Sequence, residues 1–428
     1  MIQTIRKAWG VPELRKKIVF TLLILLIFRI GNAIPVPYIN TTLLGNYLDS
    51  MSGTVLGLYN VMSGGAFAEA TVFALGVQPY INSSIIIQLL TIAIPALERL
   101  ARDGGEAGKK KIASITRYAT VAIALLQGFG YYMICKNYNI LEQQGIWPAL
   151  VIIVSFVAGS SFVMWLGEQV NEFGVGNGIS IILFAGILSR VPNMVTMGAS
   201  YIRTKGSIGC LWIALLIVGM LAMVVLIVHV NEAERRIPVQ YAKRQVGRKM
   251  YGGQSTHLPM KVNMSGVLPI IFAQSIASLP ATICAFVPKW QNGWVMKHIF
   301  DTTTWPYIVI YFLLIIFFSY FYSTIQFNPI EVANNLKKNG GFIPGFRAGK
   351  PTSEFIQKVL NKITLFGAIY LSVIAITPLI ISACSKAEQL TGISLGGTSI
   401  IIVVGVALET VRALEAQMLM RNYKGFLN

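Results

Sequence analysis

Ten long apolar segments alternate along this chain with loops that are either crowded with Lys and Arg or nearly free of them. The segments lie near residues 18–35, 76–97, 112–135, 147–167, 178–198, 208–229, 264–288, 305–325, 363–384 and 396–415. Each is long enough to cross a hydrocarbon core of about 30 Å at about 1.5 Å per helical residue. Positive charge gathers before the first segment, between the second and third, between the sixth and seventh, and between the eighth and ninth. The intervening loops are poor in it, and residues 36–75 contain no Lys or Arg at all. Because basic loops stay on the cytoplasmic side, both termini are expected in the cytoplasm.

Composition agrees: 54% of residues are hydrophobic and only 12% charged, which no soluble domain needs. The expected class is an integral membrane protein. A net charge of +18 fits either anionic lipid headgroups or a specific cytosolic partner, and composition alone leaves both open. Cys135, Cys210, Cys284 and Cys384 are scattered singly and only three histidines occur, so neither a disulfide framework nor a metal site is expected. Arg29 interrupts the first segment and no small-x-small cleavage site follows, which marks a retained helix rather than a cleaved signal.

Five segments precede residues 200–206 and five follow, and an odd number per half gives the halves opposite orientations. The expected division is an N-terminal half, 1–200, and a C-terminal half, 201–428. One stretch fits no span: residues 56–75, broken by Gly64 and Gly65 and carrying Glu69. It is too short and interrupted to cross. By itself it reads as a surface helix on the outer side, with a re-entrant element as the alternative. Two basic loops, 231–263 and 327–362, are too long for turns. The first alternates apolar and polar residues in IPVQYAK as a strand would, and the second is punctuated by Gly and Pro. Both look like docking surfaces for a large partner.

Parts for chemistry are missing. RAGKPT at 347–352 lacks the first glycine of a phosphate loop, since position 344 is proline, and Pro351 stands where a Ser or Thr would hold magnesium. GVGNG at 174–178 is a glycine-rich turn opening an apolar segment with no strand before it. No HExxH or GxSxG occurs. Arg29, Glu409 and Arg412 are the main intramembrane charges, and Glu409 with Arg412, three apart, reads as a structural pair. An inverted-repeat transporter of a small solute remains a rival on these grounds, and an intramembrane enzyme a weaker one.

Particular polar motifs carry a resemblance. The run RRIPVQYAKRQVGRKMYGGQSTHLPMKVNMSGVLPIIFA, 235–273, resembles the sixth-to-seventh-helix region of the SecY/Sec61-alpha family, the channel subunits of the Sec protein translocase. FRIGNAIPVP (28–37), PYINSSIIIQLL (79–90), MWLGEQ (164–169), GVGNGISII (174–182), FNPIEVANNLKKNGGFIPGFR (327–347) and GGTSIIIVV (396–404) agree in order. The similarity covers essentially the whole chain.

The resemblance implies an all-α polytopic membrane protein, ten transmembrane helices in two inverted five-helix halves around a central pore. Residues 58–73 become a re-entrant plug, including Leu58, Tyr59, Asn60, Gly64, Gly65 and Phe67. Val77, Ile81, Ile179, Leu183, Ile271 and Ile402 fall at the aliphatic pore ring. Asn82, Ser83 and Gln88 on the second segment face Gln274, Ser275 and Leu279 on the seventh across a lateral gate. Arg236, Lys243, Arg244, Arg248, Lys249 and Arg347 fall at basic docking positions. The implied function is translocation of unfolded preproteins and lateral insertion of membrane proteins at a bacterial plasma membrane, without catalysis or cofactor. The implied partners are SecE and SecG, the SecA ATPase, the ribosome, signal sequences and nascent membrane proteins, and anionic lipids, with SecDF and YidC beside them.

Overall fold

A computed structural model describes residues 2–50, 60, 63–102, 104–241, 244–246, 249–251, 255–264, 266–286, 299, 304–384 and 397–424. Helices dominate. They are α1 (Ile2–Trp9), α2 (Pro12–Gly31), α3 (Thr41–Ser50), α4 (Gln78–Ala93), α5 (Pro95–Arg102), α6 (Gly105–Asn137), α7 (Ile146–Phe173), α8 (Gly178–Leu188) and α9 (Val191–Glu232) in the first part of the chain. After a stranded insertion come α10 (Leu268–Phe286), α11 (Trp305–Gln326), α12 (Pro329–Lys338), α13 (Lys350–Cys384) and α14 (Gly397–Lys424).

Helix boundaries follow local chemistry. In α2, Pro12 occupies the first turn, where a missing N–H leaves no ladder bond unmade. The turn 174–178 ends in an N-cap, the Asn177 side chain accepting from the N–H groups of Ile179 and Ser180. Asn328 caps α12 in the same way through Ile330 and Glu331. Pro95 forces Ile94 into extended backbone, and α5 leaves α4 at 106°.

Among the described residues, five stretches can each cross a membrane by length and hydropathy: Gly105–Asn137, Ile146–Phe173, Gly178–Glu232, Trp305–Lys338 and Lys350–Thr377, with the bent pair α4–α5 as a sixth. The expected loop near 200–206 is helical instead. The break is confined to Gly206, whose φ of 60° and ψ of −137° interrupt α9.

A purely helical fold is corrected by the basic loops. β1 (Glu234–Tyr241) lies between β4 (Ser255–Lys261) and β5 (Gly341–Phe342), antiparallel to both, with Ile237 opposite Leu258 and Gln240 opposite Phe342. Alternation in β1 buries Ile237 and Val239 beneath the sheet, against Met260, Ile343, Ile356 and Leu360. Both long loops therefore build one subdomain seated on the N-terminal turns of α13. The strands β2 (Arg244–Val246) and β3 (Lys249–Tyr251) form a separate hairpin.

Candidate functional site

Five of the six aliphatic positions singled out in the sequence are buried and belong to one large apolar cluster. Val77 at the N-cap of α4, Ile81 on α4, Leu183 on α8, Ile271 on α10 and Ile402 on α14 belong to it, and Ile179 on α8 packs against its edge. Val77 and Ile81 share one face of α4, and Ile179 and Leu183 one face of α8, by four-residue spacing. Four helices far apart in sequence thus bring branched or long aliphatic side chains to one place. Close approach of α7 and α8 is needed for this, and Gly167 and Gly178 provide it, a side chain at 178 having to displace the Gly167 carbonyl.

Beside this cluster the chain from 63 to 77 is a succession of turns enclosed by helices, rather than a surface helix. Ser63, Ala66, Phe67, Ala70 and Thr71 are buried, and Gly64 and Gly65 take φ of 72° and 95°, where glycine alone is unstrained. Its own polar groups close the turns: the Asn60 side chain accepts from Ala68 N–H at 3.1 Å and Ser63 Oγ from Phe67 N–H at 3.1 Å. Surrounding helices supply further donors. Tyr131 Oη donates to the Phe67 carbonyl at 2.7 Å, Ser160 Oγ to Gly76 at 3.3 Å and Ser189 Oγ to Gly64 at 3.3 Å. Backbone bonds from Val36 N–H to Ala70 and from Val72 N–H to the Ile34 carbonyl tie it to the exit of α2. Leu58 and Tyr59 lie outside the described residues. None of the three hydroxyl donors was legible beforehand, because a Ser or Tyr inside an apolar helix carries no spacing signal.

Across the seam α10 touches both α4 and α6. Asn82 and Gln274 are buried, and Asn82 Oδ1 has no hydrogen-bond partner. Ser83 Oγ bonds the Pro79 carbonyl at 2.8 Å and Gln88 Nε2 bonds Ser84 Oγ at 3.4 Å, so both turn inward on α4 rather than across to α10. Ser275 is half-buried on α10, while the side chain of Leu279 lies outside the described residues.

On the basic face, Arg236 is largely exposed and approaches Glu234 at 3.9 Å. Arg347 is exposed, its carbonyl accepting from Thr352 at 2.7 Å to fix the turn into α13. Arg244 and Lys249 are placed on β2 and β3 by their backbone, and Lys243 and Arg248 lie outside the described residues. A groove of about 780 Å³ runs between α12 and α13, edged by Lys350, Glu354 and Lys358. A second pocket of about 330 Å³, which sequence reasoning missed, opens where Asn177, Asn231, Lys261 and Arg412 meet. There Arg412 donates to the Asn231 carbonyl at 3.1 Å and Asn263 Nδ2 to Asn231 Oδ1 at 2.8 Å. Arg412 therefore joins α14 to the end of α9. Among the described residues no group of three or more His, Cys, Asp or Glu is placed to hold a metal ion.

These features define a polytopic helical protein with a large apolar cluster and a segment of buried turns beside it. The SecY family model matches residues 71–411. Protein translocase subunit SecY of Streptomyces coelicolor is 45% identical over 100% of both chains, and that of Aquifex aeolicus 42% identical over 100% of both. The chain belongs to the SecY family. In fold it resembles the structure described as a protein conducting channel, with a TM-score of 0.63 at 16% identity, covering 94% of this chain and 92% of the other. It also resembles Sec61 from a canine ribosome-channel complex of the endoplasmic reticulum, with a TM-score of 0.58 at 15% identity and the same coverage. The solute-transporter and intramembrane-enzyme readings fall away with this membership.

Proposed function

We propose that this chain is the pore-forming subunit of a protein-conducting channel in a bacterial plasma membrane, ten helices in two inverted halves, 1–200 and 201–428, with both termini cytoplasmic. It passes unfolded preproteins outward and releases apolar segments sideways into lipid. One observation supports this most: Val77, Ile81, Leu183, Ile271 and Ile402, from four helices, are buried in one apolar cluster with Ile179 packed against it. An extended polypeptide cannot enter lipid, since each unpaired backbone group there costs several kcal/mol, so export needs a wet path. A wet path at rest would leak ions. An aliphatic waist dewets when empty and yields around any sequence, because it offers no fixed hydrogen-bond pattern to satisfy.

In this reading residues 58–73 are the plug, the α4–α10 seam is the lateral gate, and the sheet subdomain with Arg236 and Arg347 is the dock for SecA or a ribosome. Guanidinium groups suit either, pairing bidentately with carboxylate or phosphate. SecE and SecG complete the complex, anionic lipids hold the basic loops, and SecDF and YidC are accessory partners. The chain itself performs no catalysis. The test is single-channel recording in planar bilayers after Ile81→Gly and Ile271→Gly. Loss of apolar surface at about 25 cal/mol per Å² should hydrate the waist and raise resting conductance. Conductance equal to that of the unaltered channel would remove the sealing role.

A further inference from the structure

We propose that the Tyr131 hydroxyl is a latch that holds the 63–77 segment seated, with Ser189 and Ser160 as weaker auxiliaries, and that its release sets the resting open probability. This rests on reading the segment as the plug.

Tyr131 and Phe67 are 64 positions apart, on α6 and in the turn segment respectively, so their bond exists only while the segment is seated. At 2.7 Å it has the preferred length for an O–H donor. It is fully buried, and the ring stands edge-on to Phe67 at 4.8 Å and to Phe156 at 4.6 Å. A segment leaving this position takes the Phe67 ring and the accepting carbonyl with it and leaves the Tyr131 hydroxyl without its partner, which is the costly case wherever it stays buried. The serine bonds are longer, and Ser189 Oγ lies nearer the Gly186 carbonyl, 2.7 Å, than the Gly64 carbonyl, 3.3 Å. They contribute less.

The segment needs such a restraint. Although backbone bonds such as Thr71 N–H to the Ala66 carbonyl close its turns, Ala70 is held at φ 46°, a conformation unfavourable for any residue with a Cβ. Bonds from outside offset that internal cost. A single net hydrogen bond shifts a two-state equilibrium by about two- to twelvefold, large enough to change the resting open probability and small enough for a passing chain to displace.

The test reconstitutes the full complex in planar bilayers with Tyr131→Phe, Ser189→Ala, Tyr132→Phe and a variant whose residues 63–73 are replaced by a Gly-Ser linker. Tyr132, also buried, makes no bond to the segment among the described hydrogen bonds, so it controls for loss of a tyrosine hydroxyl as such. Tyr131→Phe should raise resting open probability about two- to twelvefold and improve export of a precursor with a weakened signal. Ser189→Ala should do so by less, and Tyr132→Phe should match the unaltered channel. If linker replacement opens the channel while Tyr131→Phe and Ser189→Ala leave it unchanged, the latch is overturned and the plug reading stands. Equal effects from Tyr131→Phe and Tyr132→Phe would also overturn it, as packing alone. No change from linker replacement would overturn the plug reading and the latch with it.

Discussion

Ala70 shows how much of the candidate site is decided by single residues that carry no signal in the sequence. It is fully buried at φ 46°, with its carbonyl accepting from Val36 N–H at 2.9 Å. A left-handed backbone costs an L-residue about 1–2 kcal/mol, and glycine escapes that cost while losing more chain entropy on folding. The balance favours glycine here: Ala70→Gly should stabilise the seated segment by up to about 1 kcal/mol and raise the thermal midpoint of the purified protein by a degree or two. A lowered midpoint would mean that the alanine methyl packs more usefully than its backbone strains. Gly159 is the complementary case, a small residue on α7 whose missing side chain makes room for the Val72 carbonyl of the segment. Alanines and glycines in apolar surroundings look alike in a sequence; only the path of a neighbouring backbone tells which must be small.

At the scale of elements, alternation in IPVQYAK was legible as a strand, and β1, Glu234–Tyr241, covers its first five residues. Its partners were not. The two-residue β5 is too short to have a period, and the link between loops 231–263 and 327–362 depends on long-range pairing of Gln240 with Phe342. Glycine-rich GVGNG likewise had to be read by position, and its Asn177 is a helix cap. The sheet makes the two loops one mechanical unit through the apolar layer under β1. Ile237→Ala, at a position 3% exposed, should cost the subdomain about 2–5 kcal/mol. Limited trypsin digestion should then cut faster at Lys337, Lys338 and Arg347 on the second loop, although the substitution lies on the first. Unchanged cleavage there would show that the loops fold independently.

For the whole molecule, apolar length and composition made the multi-pass membrane class legible, since both are properties of one segment at a time. That residues from four helices join one apolar cluster was suggested only by the polar motifs, because an isoleucine on such a face is indistinguishable from one facing lipid. The seam between α4 and α10 was the least legible feature. Polar residues there were expected to bond across it, yet Ser83 and Gln88 bond within α4, and Asn82 Oδ1 is buried without a partner. A buried acceptor without a partner costs about 1–3 kcal/mol, so Asn82 Oδ1 is a local weakness on the α4 side of the seam. A signal sequence, gaining about 0.8 kcal/mol per CH₂ buried in hydrocarbon, has ample free energy to part it. Locking the seam should therefore stop export without disturbing the waist. In a background lacking the four native cysteines, Asn82→Cys with Leu279→Cys places one thiol on each helix. Oxidation should link α4 to α10 and reduce export of a signal-bearing precursor into vesicles at least tenfold, with full recovery on reduction. Normal export through the linked channel would show that the chain passes without the seam parting, and would confine the mechanism to the waist and the segment beside it.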